Sequence, residues 1–414
     1  MISARPSLLS VESALHTILA AIHPLDVERV PLTDALGRVL RENVIASRDL
    51  PPWDNSAMDG YAVVAADLHA ASPSDPVALR VVEEIPAGRM PVEKVVPGTA
   101  ARIMTGAPMP AGADAVVMVE DTTTEGERVV VRTSVDRGES VRPRGQDMRA
   151  GTVVAPSGHR ARAAEIGMLA SLGMGMVTVG RRPRVGILAT GDELADLGEP
   201  ERPDRIFNTN SYAVAAQVGE AGGAPVLLGI AHDTPDDLRR ALRALDGLDA
   251  LVVCGGVSVG KYDFVKDVLA ELGMILDFWR VAMKPGSPMA FGRVGDRPAF
   301  GLPGNPVSAM VTFEVFVRPA LLSLAGAAEL DRPVVAAELT EPISKPRGKT
   351  HFVRGRLVRE GDRVLVAPTG SQDSGVLTSM VKASGLIVLA QDAERFERGQ
   401  RVDVRLLQGD AISL

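Results

Sequence analysis

Residues 184–194 read Arg-Val-Gly-Ile-Leu-Ala-Thr-Gly-Asp-Glu-Leu, an apolar strand pattern that runs directly into a glycine-containing turn. The same pattern ends in Gly-Gly-Val-Ser-Val-Gly-Lys-Tyr-Asp at 255–263 and in Gly-Leu-Pro-Gly-Asn-Pro at 301–306. In an open parallel sheet such turns lie at the carboxyl ends of the strands, so loops distant in sequence converge on one crevice. We therefore predict a central doubly wound α/β domain over 180–328, with its functional site in that crevice.

Length and composition limit the possible classes of protein. The chain has 414 residues, more than the roughly 250–300 at which one hydrophobic core stops growing, so several domains are expected. A net charge of −7 argues against a nucleic-acid or anionic-membrane partner. The single cysteine, Cys254, excludes a disulfide framework within the chain and indicates a reducing compartment. No uninterrupted 18-residue apolar run and no signal-peptide pattern is present, so we expect a cytoplasmic protein.

The segments around the α/β block have different patterns. Helical periodicity at 10–22 and 160–172 predicts a helical linker domain formed by 1–50 and 143–179. Short valine-rich alternations between these pieces predict an inserted β-rich domain at 51–142. Alternation returns after the block and predicts a C-terminal β-barrel-like domain at 329–414. The predicted fold is thus α/β plus β and multidomain.

Local signals predict several boundaries and one core residue. In the α/β block, helices are expected from about Ser211, from Pro235 with Thr234 as its N-cap, and from Pro306 with Asn305 as its N-cap to about Leu322. In the C-terminal part, Glu360-Gly361-Asp362 predicts a hairpin turn. Cys254 is expected to be a small core residue at a strand end.

The predicted crevice collects acids from three separate strand ends, Glu193, Asp233 and Asp263. Carboxylates crowded together raise each other's pKa unless a cation neutralises them. Magnesium suits such a site, because it binds one or two carboxylates and bridges them to substrate phosphate. Helix starts, with the nearby cations Arg280 and Lys284, can then hold an anionic substrate. The residues predict metal-assisted chemistry on a phosphorylated or other oxyanionic small molecule.

The second turn also matches two other patterns. Gly255 to Lys261 follows a P-loop up to its last position, where Tyr262 replaces the Ser or Thr that binds magnesium. Ser258 occupies the centre of a nucleophile-elbow pattern. A serine hydrolase needs a downstream histidine, and His351, in the separate β domain, is the only one. We rank both interpretations below the metal-assisted one.

Three polar motifs in the first half have either a structural or a functional explanation. Asp59 lies in the non-periodic stretch 51–61, which is either an ordered surface loop or the carrier of a functional carboxylate. Thr105 follows a strand and is placed to hydrogen-bond at the bend. Asp147 ends an arginine-containing turn at 142–147, which suits an anion site or an exposed charged turn.

These motifs, taken in order, resemble those of the molybdopterin molybdenumtransferases, the family of MoeA-type enzymes and the gephyrin E domain. The resemblance spans nearly the whole chain. It is carried by Pro52-Trp-Asp-Asn-Ser-Ala-Met-Asp-Gly-Tyr61, Ile103-Met-Thr-Gly-Ala107, Thr190-Gly-Asp-Glu-Leu194, Gly255-Gly-Val-Ser-Val-Gly260, Met283-Lys-Pro-Gly286 and Gly301-Leu-Pro-Gly-Asn-Pro-Val-Ser-Ala309.

The resemblance implies an elongated homodimer of four-domain subunits, with each active site between the α/β domain of one subunit and the β-rich domain of the other. It also implies magnesium-dependent cleavage of adenylyl-molybdopterin, with release of AMP and insertion of molybdate at the dithiolene sulfurs. Other proteins of molybdenum cofactor biosynthesis are then possible partners.

The resemblance also implies residue roles. Glu193, Asp233 and Asp263 would serve as metal ligands and act in catalysis with Lys284, while Asp59, Thr105 and Asp147 would reach in from the partner subunit. Arg280 stands where some members carry lysine, which keeps the charge but changes the oxyanion geometry. Substrate binding would involve Gly255, Gly256, Ser258, Gly260, Arg280, Pro303, Asn305, Pro306, Arg354 and Ser374.

Two further interpretations use the same features. The α/β block alone resembles a molybdopterin adenylyltransferase, although the flanking domains argue against that activity. A non-catalytic gephyrin-like scaffold is the other alternative, and the full set of acids argues against it.

Overall fold

The computed structural model describes residues 8–232, 234–242, 245–256, 270–271, 274–407 and 412–413. The chain forms two compact units. The first unit contains Met1–Glu42, Ser157–Ile166 and Met176–Leu414, and the second contains Asn43–Pro156 and Gly167–Gly175.

Helices are few in the described residues. They are α1 (Val11–Ala20), α2 (Ala163–Ser171), α3 (Thr209–Glu220), α4 (Pro235–Leu242), α5 (Pro306–Thr312), α6 (Arg318–Ala325) and α7 (Thr378–Val381), with a π-helical turn at Phe313–Val317 and 3₁₀ turns at Leu32–Asp34, Ala65–Leu68 and Val119–Asp121.

Strands make up most of the remaining regular structure. Up to residue 180 they are β1 (Val27–Pro31), β2 (Val44–Ile45), β3 (Asn55–Ser56), β4 (Gly60–Val63), β5 (Val77–Ile85), β6 (Thr99–Ile103), β7 (Ala115–Met118), β8 (Thr122–Glu125), β9 (Arg128–Val131), β10 (Val141–Arg142), β11 (Val153–Ala155) and β12 (Met176–Gly180). From residue 184 to 302 they are β13 (Arg184–Thr190), β14 (Leu194–Ala195), β15 (Ile206–Phe207), β16 (Ala224–Ala231), β17 (Ala250–Cys254), β18 (Met274–Arg280), β19 (Met283–Lys284), β20 (Pro288–Val294) and β21 (Arg297–Leu302). Beyond these they are β22 (Val334–Leu339), β23 (Ile343–Ser344), β24 (Thr350–Glu360), β25 (Arg363–Pro368), β26 (Gly385–Leu389), β27 (Arg395–Phe396), β28 (Arg401–Leu406) and β29 (Ile412–Ser413).

The second unit is built on a sheet of order β7-β4-β6-β5-β9-β8. Strands β5 and β6 run parallel, and the other neighbours are antiparallel. Successive residues of β4 alternate between two cores, because Tyr61 and Val63 pack into one cluster and Ala62 into the other. This unit is therefore β-rich, as its valine alternations predicted.

The α/β block contains a sheet of order β16-β13-β17-β21-β20-β18. Strands β16, β13, β17 and β21 are parallel, but β20 and β18 are antiparallel. The predicted parallel arrangement is thus found in four of the six strands. The antiparallel pairing of β20 with β21 has a local cause. Only Gly295-Asp296 connects these strands, and a two-residue connection permits only an antiparallel pair.

Both faces of this sheet are covered, as in a doubly wound fold. In β17 the side chains of Val252 and Cys254 pack with α3 residues, whereas those of Leu251 and Val253 pack with Leu238 of α4. Burial raises the pKa of the Cys254 thiol to about 12. This residue is therefore an inert core residue, as we predicted.

The helical run after β21 has the length and composition of a membrane span, but 89% of its most apolar window is buried within the protein. A π-helical turn interrupts the long helix that we predicted from Pro306 to about Leu322. Glu314 in this turn is buried and accepts hydrogen bonds from Arg332 Nε at 3.1 Å and Gln217 Nε2 at 3.2 Å. The charge is thus neutralised internally, and the run is a core helix.

The C-terminal region closes into a β-barrel. Strands β24, β25, β22, β28 and β26 follow one another, and β26 pairs back with β24. The barrel core includes Leu357, Val366 and Val404. Strand β19 of the α/β block joins the same sheet by pairing parallel to β24. A segment that belongs to the α/β block in sequence is therefore a strand of the barrel sheet.

Local start and turn signals predicted several boundaries correctly. Pro235 begins α4, and Thr234 Oγ1 accepts the Asp237 N–H at 3.3 Å, as expected of an N-cap. The hairpin between β24 and β25 turns at Gly361-Asp362. Helix α3 begins two residues before the expected Ser211, because Asn208 provides the cap by accepting the Ser211 N–H at 3.2 Å.

Candidate functional site

The carboxyl ends of β13, β17 and β21 come together in the described part of the α/β block. The Gly255 N–H donates to the Leu302 carbonyl at 3.0 Å, and Gly255 has φ +97°. A Cβ at this position would lie 2.7 Å from the Thr190 carbonyl oxygen, so only glycine fits. A Cβ on Gly304 would lie 3.9 Å from the Gly255 Cα. The predicted convergence of the three turns is confirmed for these residues.

Side chains anchor the loop at 301–306 from two directions. Asn210 Nδ2, from the first turn of α3, donates to the Gly304 carbonyl at 2.7 Å. Asn305 Nδ2 donates to Ser374 Oγ of the C-terminal region at 2.9 Å. The Val307 N–H also donates to the Ser374 carbonyl, at 3.2 Å. The loop therefore connects the α/β block to the barrel region.

The residues around the start of α5 have partly the roles that we predicted. Asn305 occupies the N-cap position, but its side chain makes no capping bond and binds Ser374 instead. Pro306 occupies the first helical position, and Pro303 is buried. The prolines fix the backbone of this loop, because each restricts φ.

Two buried polar atoms next to these loops lack partners. Among the described residues, Thr190 Oγ1 and Asn210 Oδ1 are both buried without a hydrogen bond. Leaving such a group unsatisfied costs about 1–3 kcal/mol. Both atoms belong to residues that contact the glycines of the converging turns. Both atoms are enclosed behind the loop surface, so they would meet a substrate only after a side-chain rotation.

Arg354 is enclosed in the C-terminal region rather than exposed to the crevice. It is 1% exposed, and its Nε donates to Ser379 Oγ at 3.1 Å and its Nη2 to the Asp373 carbonyl at 3.2 Å. Its backbone N–H donates to Gln372 Oε1 at 2.9 Å. Burial lowers the pKa of Arg354 to about 10, so it remains charged at neutral pH. It fixes the segment that presents Ser374.

The predicted cations Arg280 and Lys284 are both exposed. Lys284 lies opposite His351 in the parallel pairing of β19 with β24. Burial, followed by the charges of Lys345, Lys284 and Lys349, lowers the pKa of His351 to about 4. His351 is therefore neutral at physiological pH within a positively charged environment, which favours the approach of an anion.

The turn after Lys284 packs tightly against α5. Gly286 has φ +94°, and a Cβ on it would lie 2.2 Å from Thr312 Oγ1. Glycine is required here both for the backbone conformation and for the close contact. The packing fixes the position of Lys284 relative to the loop at 301–306, because that loop leads into the same helix.

Of the three acids predicted to share a metal, Glu193 is described, whereas Asp233 and Asp263 lie outside the described residues. Glu193 is exposed in the turn after β13. The neighbouring Asp192 contacts His232 across the carboxyl ends of β13 and β16, with 3.1 Å between Oδ1 and Nδ1. Within the described ranges, no group of three His, Cys, Asp or Glu side chains is placed to hold a metal ion.

The second turn is described only at its beginning. Gly255 and Gly256 both have positive φ, +97° and +62°. Ser258 and Gly260 lie outside the described residues, as do Lys261 and Tyr262. The P-loop and nucleophile-elbow interpretations therefore stay predictions.

In the second unit, Asp59 and Thr105 form one cluster. Asp59 Oδ1 accepts the Thr105 N–H at 2.7 Å and its hydroxyl at 2.6 Å. These bonds, helped by the charge of Arg102, lower the pKa of Asp59 below its usual value. The carboxylate is exposed and ionised at neutral pH. Thr105 thus hydrogen-bonds at the bend as predicted, and its partner is Asp59.

The loop that carries Asp59 is stabilised by both backbone and side-chain hydrogen bonds. The Ser56 carbonyl accepts the Gly106 N–H at 2.8 Å, and Asp54 Oδ1 accepts the Arg144 N–H at 2.7 Å. Asp147 is exposed, and its N–H donates to the Leu50 carbonyl at 3.0 Å. The three motifs of the first half therefore lie within one network of the second unit.

Known protein families match this chain along most of its length. The family described as the MoeA N-terminal region (domain I and II) matches residues 9–173, a probable molybdopterin binding domain matches 186–323, and the MoeA C-terminal region (domain IV) matches 336–407. Molybdopterin molybdenumtransferase 2 of Mycobacterium tuberculosis is 41% identical over 91% of this chain and 94% of its own. The chain belongs to the molybdopterin molybdenumtransferase family.

Other relatives of this molybdenumtransferase family are similar at comparable coverage. The molybdopterin molybdenumtransferase of a Nostoc species is 41% identical over 92% of this chain and 89% of its own. The crystal structure of the molybdopterin biosynthesis MoeA protein of Pyrococcus horikoshii is 32% identical, with a TM-score of 0.82 over 97% of this chain and 100% of that one. The multidomain fold is therefore that of MoeA proteins.

Three residues that hold the candidate site or its neighbouring segment were not predicted from the sequence. Asn210 anchors Gly304, and Gln372 and Ser379 hold Arg354. The run Asn208-Thr-Asn-Ser211 is an unusually polar helix start and was the available signal for Asn210. Gln372 and Ser379 have no comparable signal, because their partner is distant in sequence.

Proposed function

We propose that this chain is a molybdopterin molybdenumtransferase that inserts molybdenum from molybdate into molybdopterin, with magnesium-dependent cleavage of adenylyl-molybdopterin and release of AMP. The observation that carries the proposal is the loop at 301–306, held between Asn210 and Ser374 where the three glycine turns converge. This arrangement gives a fixed backbone surface with unpartnered polar atoms beside it. The names of the relatives supply the reaction class.

The converging turns would bind the phosphorylated part of the substrate. Gly256 would bring its backbone N–H close to a ligand, since it carries no side chain. The N–H of Gly255 already donates to the Leu302 carbonyl, so Gly255 would contribute only the open space beside its Cα. Thr190 Oγ1 and Asn210 Oδ1 are buried behind the same turns without partners, and side-chain rotation would present a hydroxyl and an amide oxygen to the ligand. The pterin phosphate and the polar pterin ring have complementary acceptors and donors for these groups.

Of the three proposed metal ligands, Glu193 is the one that the structure describes, and its side chain suits magnesium. Glu193 is an exposed carboxylate at the carboxyl end of β13, and carboxylate oxygen is the ligand that magnesium prefers. Asp233 and Asp263 complete the proposed ligands. Bound magnesium would neutralise negative charge on the phosphates.

Molybdate would bind on the side of the crevice that faces the barrel. Lys284 and Arg280 are the exposed cations there, and Ser374 offers a hydroxyl that already binds Asn305. Arg354 has its guanidinium committed to Ser379 and Asp373, so we assign it to positioning Ser374. The neutral His351 beside Lys284 adds no charge but can accept or donate a hydrogen bond.

The second unit would supply Asp59, Thr105 and Asp147 to the site of a partner subunit in a homodimer. Asp59 is ionised and oriented by Thr105, which suits a group that contacts substrate or metal. The same proposal includes four domains per subunit and a cytoplasmic location. It also includes transfer of the substrate from other proteins of the pathway.

The test is AMP release from adenylyl-molybdopterin when the purified protein is incubated with molybdate and magnesium. Glu193→Gln keeps the shape of the side chain but removes its charge, and we expect AMP release to slow by about 100-fold or more with folding intact. Glu201→Gln, an exposed acid in the same region, is the matched control.

Other outcomes identify the competing functions. Adenylylation of molybdopterin from ATP would indicate an adenylyltransferase. No AMP release by the wild-type protein, with intact folding, would indicate a scaffold. Unchanged AMP release in Glu193→Gln would contradict the assigned role of the acids.

A further inference from the structure

A cavity of about 700 Å³ lies at the amino ends of the parallel α/β strands, opposite the proposed transferase crevice. Its walls include Arg184, Asp249 and Arg297, which stand at or beside the first residues of β13, β17 and β21. The crevice lies at the other ends of the same strands. None of the residues assigned to the transferase site lines this cavity, so the transferase reaction does not explain it.

One wall is a closed ion pair. Arg181 donates to both carboxylate oxygens of Asp249, at 2.8 Å and 2.7 Å, and Asp249 also accepts the Arg184 N–H at 2.8 Å. The Asp249 carboxylate is only 11% exposed. Its charge is therefore neutralised within the protein, and it gives the wall a fixed geometry.

Two other arginines on the cavity wall are not neutralised in this way. Neither Arg184 nor Arg297 makes an ion pair with a carboxylate among the residues that the structure describes. The Arg184 guanidinium lies against the backbone of Gly247, where a Cβ would be 2.9 Å from Nη1. Glycine at 247 thus leaves the room that this guanidinium occupies.

The rest of the lining is apolar apart from His23 and Asp296. It consists of Ala21, Ile22, Leu25, Leu248, Pro298 and Leu324. The lining contains three arginines and two aspartates, which leaves one excess positive charge among these five side chains. The cavity thus combines an apolar wall with a single unbalanced cationic charge. Its volume lies within the 300–1,000 Å³ typical of small-molecule sites.

We propose that this cavity binds a small amphipathic monoanion, an apolar body of one or two rings with a single carboxylate or sulfonate. The apolar wall would contact the body, and Arg184 and Arg297 would bind the acid group. A dianion fits less well, because Asp296 stands beside the same arginines and repels the second charge.

The probe is 8-anilinonaphthalene-1-sulfonate, a fluorescent monoanion of this class, titrated against the full-length protein. We expect one saturable site per chain. The double variant Arg184→Gln/Arg297→Gln should bind at least 10-fold more weakly, because both acid-binding groups are removed. The matched control Arg398→Gln, an exposed arginine of the C-terminal region, should bind as the wild type does.

A charge reversal tests the proposal in the opposite direction. Asp296 is exposed in the turn before β21, so Asp296→Lys should fold normally and bind the probe about threefold more tightly. Naphthalene-1-carboxylate should displace the probe, and the neutral naphthalene-1-methanol should not do so at the same concentration. Equal affinity in the double variant and the wild type, no tightening in Asp296→Lys, or equal displacement by the neutral compound would each overturn the proposal.

Discussion

The loop at 301–306 and the loop that carries Asp59 are both rich in functional motifs, but they are stabilised differently. The first is held by the side chains of Asn210, Asn305 and Ser374, which belong to distant parts of one compact unit. The second combines backbone hydrogen bonds with the two bonds that Asp59 Oδ1 accepts from Thr105, and the Asp59 carboxylate nevertheless stays exposed. Side chains in the crevice are thus needed partly for shape, whereas Asp59 is available for chemistry.

The largest expected effect is on the packing of the crevice. Gly286→Ala places a methyl group 2.2 Å from Thr312 Oγ1 at φ +94° and should destabilise the first unit by about 4 kcal/mol. Gly348→Ala is the matched control, since Gly348 has φ +93° with open space around its Cα, and should cost about 1–2 kcal/mol. Urea denaturation measures the difference. Equal losses in the two variants would show that the contact with α5 is unimportant.

Asp59→Asn should separate chemistry from stability. The amide oxygen can still accept both bonds from Thr105, although more weakly than the carboxylate does, so the loop should keep its structure with only a small decrease in melting temperature. AMP release should fall by about 100-fold, equivalent to about 2.7 kcal/mol, because the charge is lost. Glu127→Gln, an exposed acid of the same unit, is the control. Full activity in Asp59→Asn would mean that Asp59 only supports its loop.

The low pKa of His351 predicts that the folded protein loses stability at acidic pH. Its pKa in the folded protein is about 4, below the ordinary 6.5, because of burial and the charges of Lys345, Lys284 and Lys349. As the pH falls below 6.5, the unfolded chain binds a proton first. The stabilisation is therefore complete above pH 6.5 and is lost progressively down to about pH 4.

We expect the loss of stability between pH 6.5 and pH 4 to be about 1–2 kcal/mol, because the partial exposure of His351 screens the charges. His351→Asn should remove that part of the pH dependence, whereas His69→Asn, an exposed histidine of the second unit, should leave it unchanged. Denaturation midpoints between pH 7 and pH 4 provide the measurement. Identical pH profiles for His351→Asn and the wild type would contradict the assignment.

The smallest effect concerns the bond between Asn305 and Ser374. A double-mutant cycle with Asn305→Ala and Ser374→Ala should give a coupling energy of about 1 kcal/mol, typical of one hydrogen bond. Ser371→Ala, in the same segment but bonded locally to the Asp373 N–H, should be additive with Asn305→Ala. A coupling energy of zero for Asn305 and Ser374 would show that the loop does not depend on this bond.

The sequence predicted the features that depend on local chemistry. The glycine turns, the α4 start at Thr234-Pro235 and the hairpin at Gly361-Asp362 follow from residues that are close in sequence. Gly255 is one of those turn residues, and only glycine fits at this position, where the three turns meet. These predictions succeeded because a turn or a cap depends on a few neighbouring dihedral angles.

Other features depend on partners that no local pattern identifies. Asn305 reads as a helix cap, yet its side chain binds Ser374, 69 residues away. Arg354 was predicted as a substrate ligand, but its partners Ser379 and Gln372 hold it inside the C-terminal region. The π-helical turn accommodates Glu314, whose partners Arg332 and Gln217 come from elsewhere in the fold. Tertiary packing determines these hydrogen-bond partners, and neither hydrophobic periodicity nor a turn motif predicts them.

The pairing of β19 with β24 limits how this protein can be divided or recombined. Lys284 belongs to the α/β block in sequence, but its backbone is an edge strand of the barrel sheet, next to His351. A truncated chain that ends before β22 would therefore lose the hydrogen-bonding partner of a residue that we assign to substrate binding. Chimaeras between relatives should therefore exchange 283–284 and 350–351 together, so that both strands of this pair come from the same parent.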